Sequence, residues 1–201
     1  MSGFLYVISG PSGAGKSTII TRVRKKLPEL VYSISHTSRR PRGNEQDAVH
    51  YHFVDRRTFL RMIEEGAFLE WAEVYGEYYG TSLSSLNDQL SKGYDVLMDL
   101  DSQGAQNIKK NIAEPVLVYI LPPSLEVLEK RLRKRATDDE QVMITRISSA
   151  AASLQECLWY DYIIINDDLD KAVEAIEAII ISHQFRSDRM RPKAERILMD
   201  S

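Results

Sequence analysis

Short apolar runs alternate along the chain with segments whose apolar residues recur every three or four positions. The first run, Phe4 to Ile8, ends at Ser9 and a glycine-rich stretch, and reads as a fully buried strand of a parallel sheet. Ile19, Ile20, Val23 and Leu27 then follow at helical spacing until Pro28 stops the pattern. The alternation resumes with a helix carrying Leu83, Leu86 and Leu90, closed by Gly93, and a strand over Val96, Leu97 and Met98. A strand from Val116 to Leu121, a helix from Ser124 and a strand from Ile163 to Ile165 come next. A closing helix places Ala172, Val173, Ile176, Ile179 and Ile180 on one face. Strands and helices taken in turn predict an α/β fold with a central parallel sheet flanked by helices. The basic, polar stretch from Arg186 to Arg196 reads as a frayed helix end.

Between Ser33 and Thr81 the texture changes. This stretch is rich in Arg, Tyr, His and Glu, with one short helical pattern (Phe59, Leu60, Ile63) ended by Gly66, and a strand from Phe68 to Val74. It reads as an insertion reaching over a site, outside the core sheet.

Composition narrows the class. A chain of 201 residues fits one domain, and 43% hydrophobic with 27% charged residues is far from a disordered composition. A net charge of -3, from 26 Lys+Arg against 29 Asp+Glu, argues against nucleic-acid binding by bulk attraction and leaves only local basic patches. The single cysteine, Cys157, excludes an internal disulfide, suits a reducing compartment, and by its apolar setting is a small buried hydrophobe. No basic stretch precedes Phe4 to Ile8, and that run is too short for a signal or a membrane span, so a cytoplasmic location without membrane attachment is expected.

The first candidate chemistry lies where strand meets helix. Gly10-Pro11-Ser12-Gly13-Ala14-Gly15-Lys16-Ser17 satisfies G-x-x-x-x-G-K-[ST], preceded by a buried strand and followed by an amphipathic helix as a phosphate loop requires. Glycines let backbone N–H groups converge on phosphate oxygens, and the helix start adds its dipole. Lys16 then neutralises the β/γ-phosphates and Ser17 is a ligand for Mg²⁺. Asp99 and Asp101 close the third apolar strand run two residues apart, on one side of an extended chain, which suits a cation or a ligand donor. In the insertion, Ser35, Arg39, Arg42 and Tyr51 lie close in sequence and Glu70, Tyr79 and Thr81 follow; the two arginines and two tyrosines supply guanidinium forks and phenol hydroxyls for a second phosphate.

These residues carry a resemblance. The segments GPSGAGKST, SHTSRRPRGNE, YHFV, FLEWAEVYGEYYGT, DLDSQGAQ, ILPPS, RLRKR and YDYIIINDDLD, in that order, resemble the guanylate kinases from end to end. The resemblance implies a P-loop NTPase fold with a nucleoside-monophosphate-binding insertion (33–81) and a lid (131–146) on a core of 1–32, 82–130 and 147–201. It implies ATP and GMP, with dGMP, as substrates and Mg²⁺ as cofactor. Carried over, Gly10 to Thr18 (Gly10, Pro11, Ser12, Gly13, Ala14, Gly15, Lys16, Ser17, Thr18), with Arg131, Asn166 and Asp167, would bind ATP. Arg39, Arg42, Tyr51 and Tyr79 would hold the GMP phosphate. Ser35, Glu70, Thr81 and Asp101 would face the guanine, with Asp99 near metal and substrate. Lys16, Arg42, Arg135 and Arg146 would serve the transfer. Ala136 stands where the family often has glycine, and the segment from Glu156 to Trp159 is unlike the usual pattern. Scaffold modules of related fold usually lose the phosphate loop, which is intact here. A kinase for a phosphorylated sugar would have no use for Glu70, Thr81 and Asp101.

Overall fold

The computed structural model describes residues 3–74, 76–134, 148 and 154–199. Strand β1 (Leu5–Ser9) lies at the centre of a five-stranded sheet, between β7 (Val96–Asp99) and β8 (Val116–Leu121). The full order is β2 (Val31–Tyr32), β7, β1, β8 and β9 (Tyr162–Ile165), with every pairing parallel. Residues alternate between two apolar layers, as strand geometry demands. Tyr6, Ile8, Leu97, Val118 and Ile120 pack on one face against Ile19, Ile20 and Val23 of α1 (Lys16–Lys26) and Val173, Ile176 and Ile180 of α6 (Leu169–Gln184). Leu5, Val7, Met98, Leu117 and Tyr119 pack on the other face with Leu86 of α3 (Leu83–Ser91), Ala105 and Ile108 of α4 (Ser102–Asn111), and Cys157 and Tyr160. Both faces are covered, which is why these strands read as unbroken apolar runs. Helix α5 (Leu125–Lys134) follows β8, and Cys157 is buried as its setting predicts.

A second sheet holds more strand than the sequence pattern announces. Strands β3 (His36–Thr37), β4 (His52–Phe53), β5 (Phe68–Val74) and β6 (Glu77–Ser82) make a mixed sheet in the order β4-β3-β6-β5. Helix α2 (Arg56–Glu64) closes it, capped by the Asp55 carboxylate accepting from the Thr58 N–H at 2.8 Å. The small core is aromatic: Phe59 stacks on Phe68 at 4.4 Å between ring centres, with Tyr78 beside them. Ser82 ends β6 and caps α3, so the insertion returns to the core within one residue.

One expectation needs correction. The stretch after Arg186 is not a frayed end but a separate helix, α7 (Ser187–Met199). Arg189 Nη1 donates to Asp95 Oδ1 at 2.7 Å, and the same buried carboxylate accepts the Phe4 N–H at 2.9 Å. A buried carboxylate at the start of β7 demands a cation, and the chain supplies it from far away in sequence. Arg135, Arg146 and Ala136 lie outside the described residues. Among the described residues, no helix is long and apolar enough to cross a membrane.

Candidate active site

The carboxyl ends of the parallel strands converge on one region, the usual place for a ligand in an open α/β sheet. From β1 the chain enters the loop Gly10–Gly15, where Gly10, Gly13 and Gly15 all have positive φ (142°, 87° and 103°). At Gly10 a Cβ would stand 2.3 Å from the Ile120 carbonyl oxygen, so this glycine is dictated by contact as well as conformation. Gly15 precedes α1 directly, so the first-turn amides, with Ser17 and Thr18, begin where the loop ends. The Lys16 ammonium donates to the Gly10 carbonyl at 2.7 Å and sits 3.9 Å from Asp99 Oδ1, folded back over its own loop.

Asn166, just past β9, is buried, and its Nδ2 donates to the Ala14 carbonyl at 2.7 Å. Arg131 of α5 donates to the same carbonyl (3.3 Å) and to the Asn166 carbonyl (3.2 Å). These two side chains therefore brace the loop by holding a carbonyl outward, which leaves its amides for an anion. A cavity of about 360 Å³ opens beside them, lined by Gly13, Gly15, Thr18, Arg131, Asn166, Asp167 and Leu169. Asp167 is exposed, its carboxylate turned to the Asp168 N–H.

Asp99 connects this half to the insertion. Burial holds its carboxyl above the ordinary range, against the attraction of Lys16 and with further repulsion from Asp101. The phenols of Tyr32 and Tyr51 are both raised, first by burial and then in part by the charge of Asp99. Asp101 starts α4, its Oδ1 accepting the Gly104 N–H at 2.8 Å.

Opposite stands Glu70 on β5. Its Oε1 accepts from the buried Thr81 hydroxyl at 2.7 Å, and burial, then Asp101, raises its pKa. Gly104 completes the fit: a Cβ there would come within 3.3 Å of Glu70 Oε2. The result is a pair of carboxylates, Glu70 half-buried and Asp101 exposed, with unused acceptor capacity. Ser35 sits half-buried before β3, its carbonyl taking the His52 N–H at 2.9 Å.

Arg39, Tyr51 and Tyr79 form a third group. The buried Arg39 donates from Nε to the Tyr79 hydroxyl at 3.2 Å, and its guanidinium lies 5.4 Å from the Tyr51 ring centre. Tyr51 and Tyr79 meet edge to face at 5.9 Å. Arg42 is exposed on the adjoining loop. The sequence reading passed over Glu45, which binds Arg39 through both oxygens (2.8 and 3.0 Å), and missed the bracing role of Asn166. The only sequence signal for Glu45 is a carboxylate just after the basic run Arg39-Arg40-Pro41-Arg42.

The geometry thus holds a glycine loop at a helix N-terminus, a carboxylate pair suited to N–H donors, and a cationic aromatic cluster. Comparisons with known proteins agree. The family model described as guanylate kinase matches residues 2–183. The guanylate kinase of Carboxydothermus hydrogenoformans is 48% identical over 188 residues, 94% of this chain and 92% of that protein. That of Caldanaerobacter subterraneus subsp. tengcongensis is 49% identical over 187 residues, 93% and 91% of the two chains. The crystal structure of guanylate kinase from Anaplasma phagocytophilum superposes with a TM-score of 0.76 at 33% identity, covering 94% of this chain and 89% of that one. The chain belongs to the guanylate kinase family.

Proposed function

We propose that this chain transfers the γ-phosphoryl group of ATP to GMP, giving ADP and GDP. The observation that carries the acceptor's identity is the half-buried Glu70 carboxylate, tied to Thr81 and set against Asp101. Guanine N1–H and N2–H donors complete it, whereas adenine leaves it unpaired. The cavity beside Asn166 and Arg131 takes the nucleoside of ATP, with its phosphates on the loop amides.

In the reaction an oxygen of the GMP phosphate forms a bond to the γ-phosphorus as the bond to the β–γ bridging oxygen breaks. The attacking oxygen is already anionic near neutral pH, so no general base is required. What the protein supplies is position and charge. Lys16 leaves the Gly10 carbonyl for the β/γ-phosphates. Arg39, Arg42, Tyr51 and Tyr79 hold the acceptor phosphate against the repulsion of the donor. Ser17 and Asp99 offer oxygen donors for Mg²⁺. Two protein oxygens suit this ion, which reserves most of its shell for phosphates and water, and no cluster of three or more His, Cys, Asp or Glu occurs among the described residues. When bound, the ion neutralises charge between the phosphates. Arg135 and Arg146 extend the cationic set by family resemblance.

The insertion (33–81) and the lid (131–146) close over the core (1–32, 82–130, 147–201) when both nucleotides are bound, excluding water that would otherwise hydrolyse ATP. The location that fits these substrates is the cytoplasm. A coupled assay with ATP and Mg²⁺ across GMP, AMP, CMP, UMP and dTMP tests the assignment. GMP is expected to exceed AMP in kcat/KM by a factor on the order of 10⁴; comparable use of the two refutes it.

A further inference from the structure

We propose that Glu45 is a positioning residue for the acceptor phosphate, fixing Arg39 and the Arg42 loop in the geometry that receives it. The inference rests on the reading that these arginines hold the GMP phosphate. The Glu45 carboxylate grips the Arg39 guanidinium at both ends, Oε2 with Nη1 at 2.8 Å and Oε1 with Nη2 at 3.0 Å. Oε2 also accepts the backbone N–H of Arg42 at 2.7 Å, while the Glu45 N–H donates to the Arg42 carbonyl at 3.0 Å. One side chain therefore sets the orientation of the first arginine and the backbone course of the second.

The donor count shows what this leaves. A guanidinium has five N–H donors. Nε is taken by the Tyr79 hydroxyl, Nη1 by the Arg40 carbonyl and Glu45, and one hydrogen of Nη2 by Glu45. Among the described residues, the remaining Nη2 hydrogen is the one donor of Arg39 left to meet a ligand. The side chain is buried, with 8% of its surface exposed against 24% for Glu45, so it does not swing freely to find other partners. Arg39 is thus neutralised and aimed, and among the described residues the charge of this cluster without an ion-pair partner is that of Arg42. Glu45 remains ionised throughout the working range, because the Arg39 hydrogen bonds, followed by the Arg42 N–H, hold its pKa down to about 2. A phosphate arriving here meets an ordered donor, and the ordering has been supplied in advance by folding.

Steady-state kinetics of the full-length chain, with Glu45→Gln, Arg39→Ala and the double variant, tests this. Glu45→Gln keeps the shape and one acceptor but loses the charge and the bidentate grip. It is expected to raise KM for GMP about tenfold, with kcat changed less than about threefold and KM for ATP unaltered. In the Arg39→Ala background the same substitution should add little, because its effect passes through Arg39. Glu45→Asp, which restores the charge at shorter reach, should recover part of the loss and serves as the second variant if Gln fails to fold. Unchanged or lower KM for GMP in Glu45→Gln overturns the proposal, as does an equal penalty with and without Arg39. If Arg39→Ala itself binds GMP normally, the acceptor-site reading fails and the inference falls with it. If Arg39→Ala is impaired while Glu45→Gln is not, the inference alone fails.

Discussion

Replacing Glu70 by Gln separates what this residue does for GMP from what it does for the fold. Gln retains a carbonyl oxygen for the Thr81 hydroxyl, now 2.7 Å from Glu70 Oε1, so local packing survives. The other carboxylate oxygen becomes an NH₂ group, which faces guanine's N–H donors with a donor of its own. The loss is one charge-assisted hydrogen bond, about 1.5–3 kcal/mol, or about 10- to 150-fold in kcat/KM for GMP. KM for ATP should not move. Stability should respond in the opposite sense. Burial first, then Asp101, raises the Glu70 pKa. A carboxyl whose folded pKa lies above its unfolded value opposes folding once ionised: the cost is absent below the unfolded pKa and grows as pH rises through the folded one. Gln removes that cost, so at neutral pH the variant should unfold at the same temperature as wild type or higher. The same shift gives GMP binding a pH dependence. As pH falls through the raised Glu70 pKa, KM for GMP rises, beginning at higher pH than for an ordinary carboxylate. The GMP phosphate also titrates near pH ~6, and the Gln variant, which retains only that titration, is the reference. Wild-type kcat/KM for GMP in Glu70→Gln would refute the reasoning, whatever the stability.

Other expectations follow from single contacts. Ala48 has φ 57°, in the left-handed region that costs a non-glycine residue about 1 kcal/mol. Ala48→Gly should therefore raise the unfolding temperature, and a lower one would show the strain argument to be wrong. Gly10→Ala forces a Cβ to 2.3 Å from the Ile120 carbonyl oxygen, whereas Gly66 has positive φ and open space. Thermal denaturation should show the first substitution destabilising well beyond the roughly 1–2 kcal/mol expected for the second, and equal losses would contradict the close approach. Asn166→Ala removes the brace on the Ala14 carbonyl, so KM for ATP should rise while KM for GMP holds; the reverse pattern would place Asn166 elsewhere in the mechanism.

Much of the core was legible because its strands are buried on both faces and its helices on one. Val96–Met98, Val116–Leu121 and Ala172–Ile180 announce themselves by apolar periodicity, and the phosphate loop by glycines that contact and conformation both require. The mixed sheet of the insertion was mostly hidden. Strands β3 (His36–Thr37) and β4 (His52–Phe53) are two residues each, too short for any periodicity to show. Residue types identified Glu70, Arg39 and Tyr79 as candidates, but not which of them touch. Arg39 spends most of its donors on Glu45 and Tyr79, and Asn166 reaches back to Ala14, pairings that local patterns do not encode. The helix α7 was misread for a similar reason: its anchor is the distant Asp95.

The most direct test of phosphoryl transfer to GMP follows the label itself. Wild-type protein and a Lys16→Met variant are incubated with γ-phosphoryl-labelled ATP, Mg²⁺ and either GMP or AMP, and the products are separated. The account predicts label in GDP with wild type, little in ADP formed from AMP, and almost none in GDP with Lys16→Met. Label released chiefly as inorganic phosphate, or carried to AMP as readily as to GMP, would contradict it.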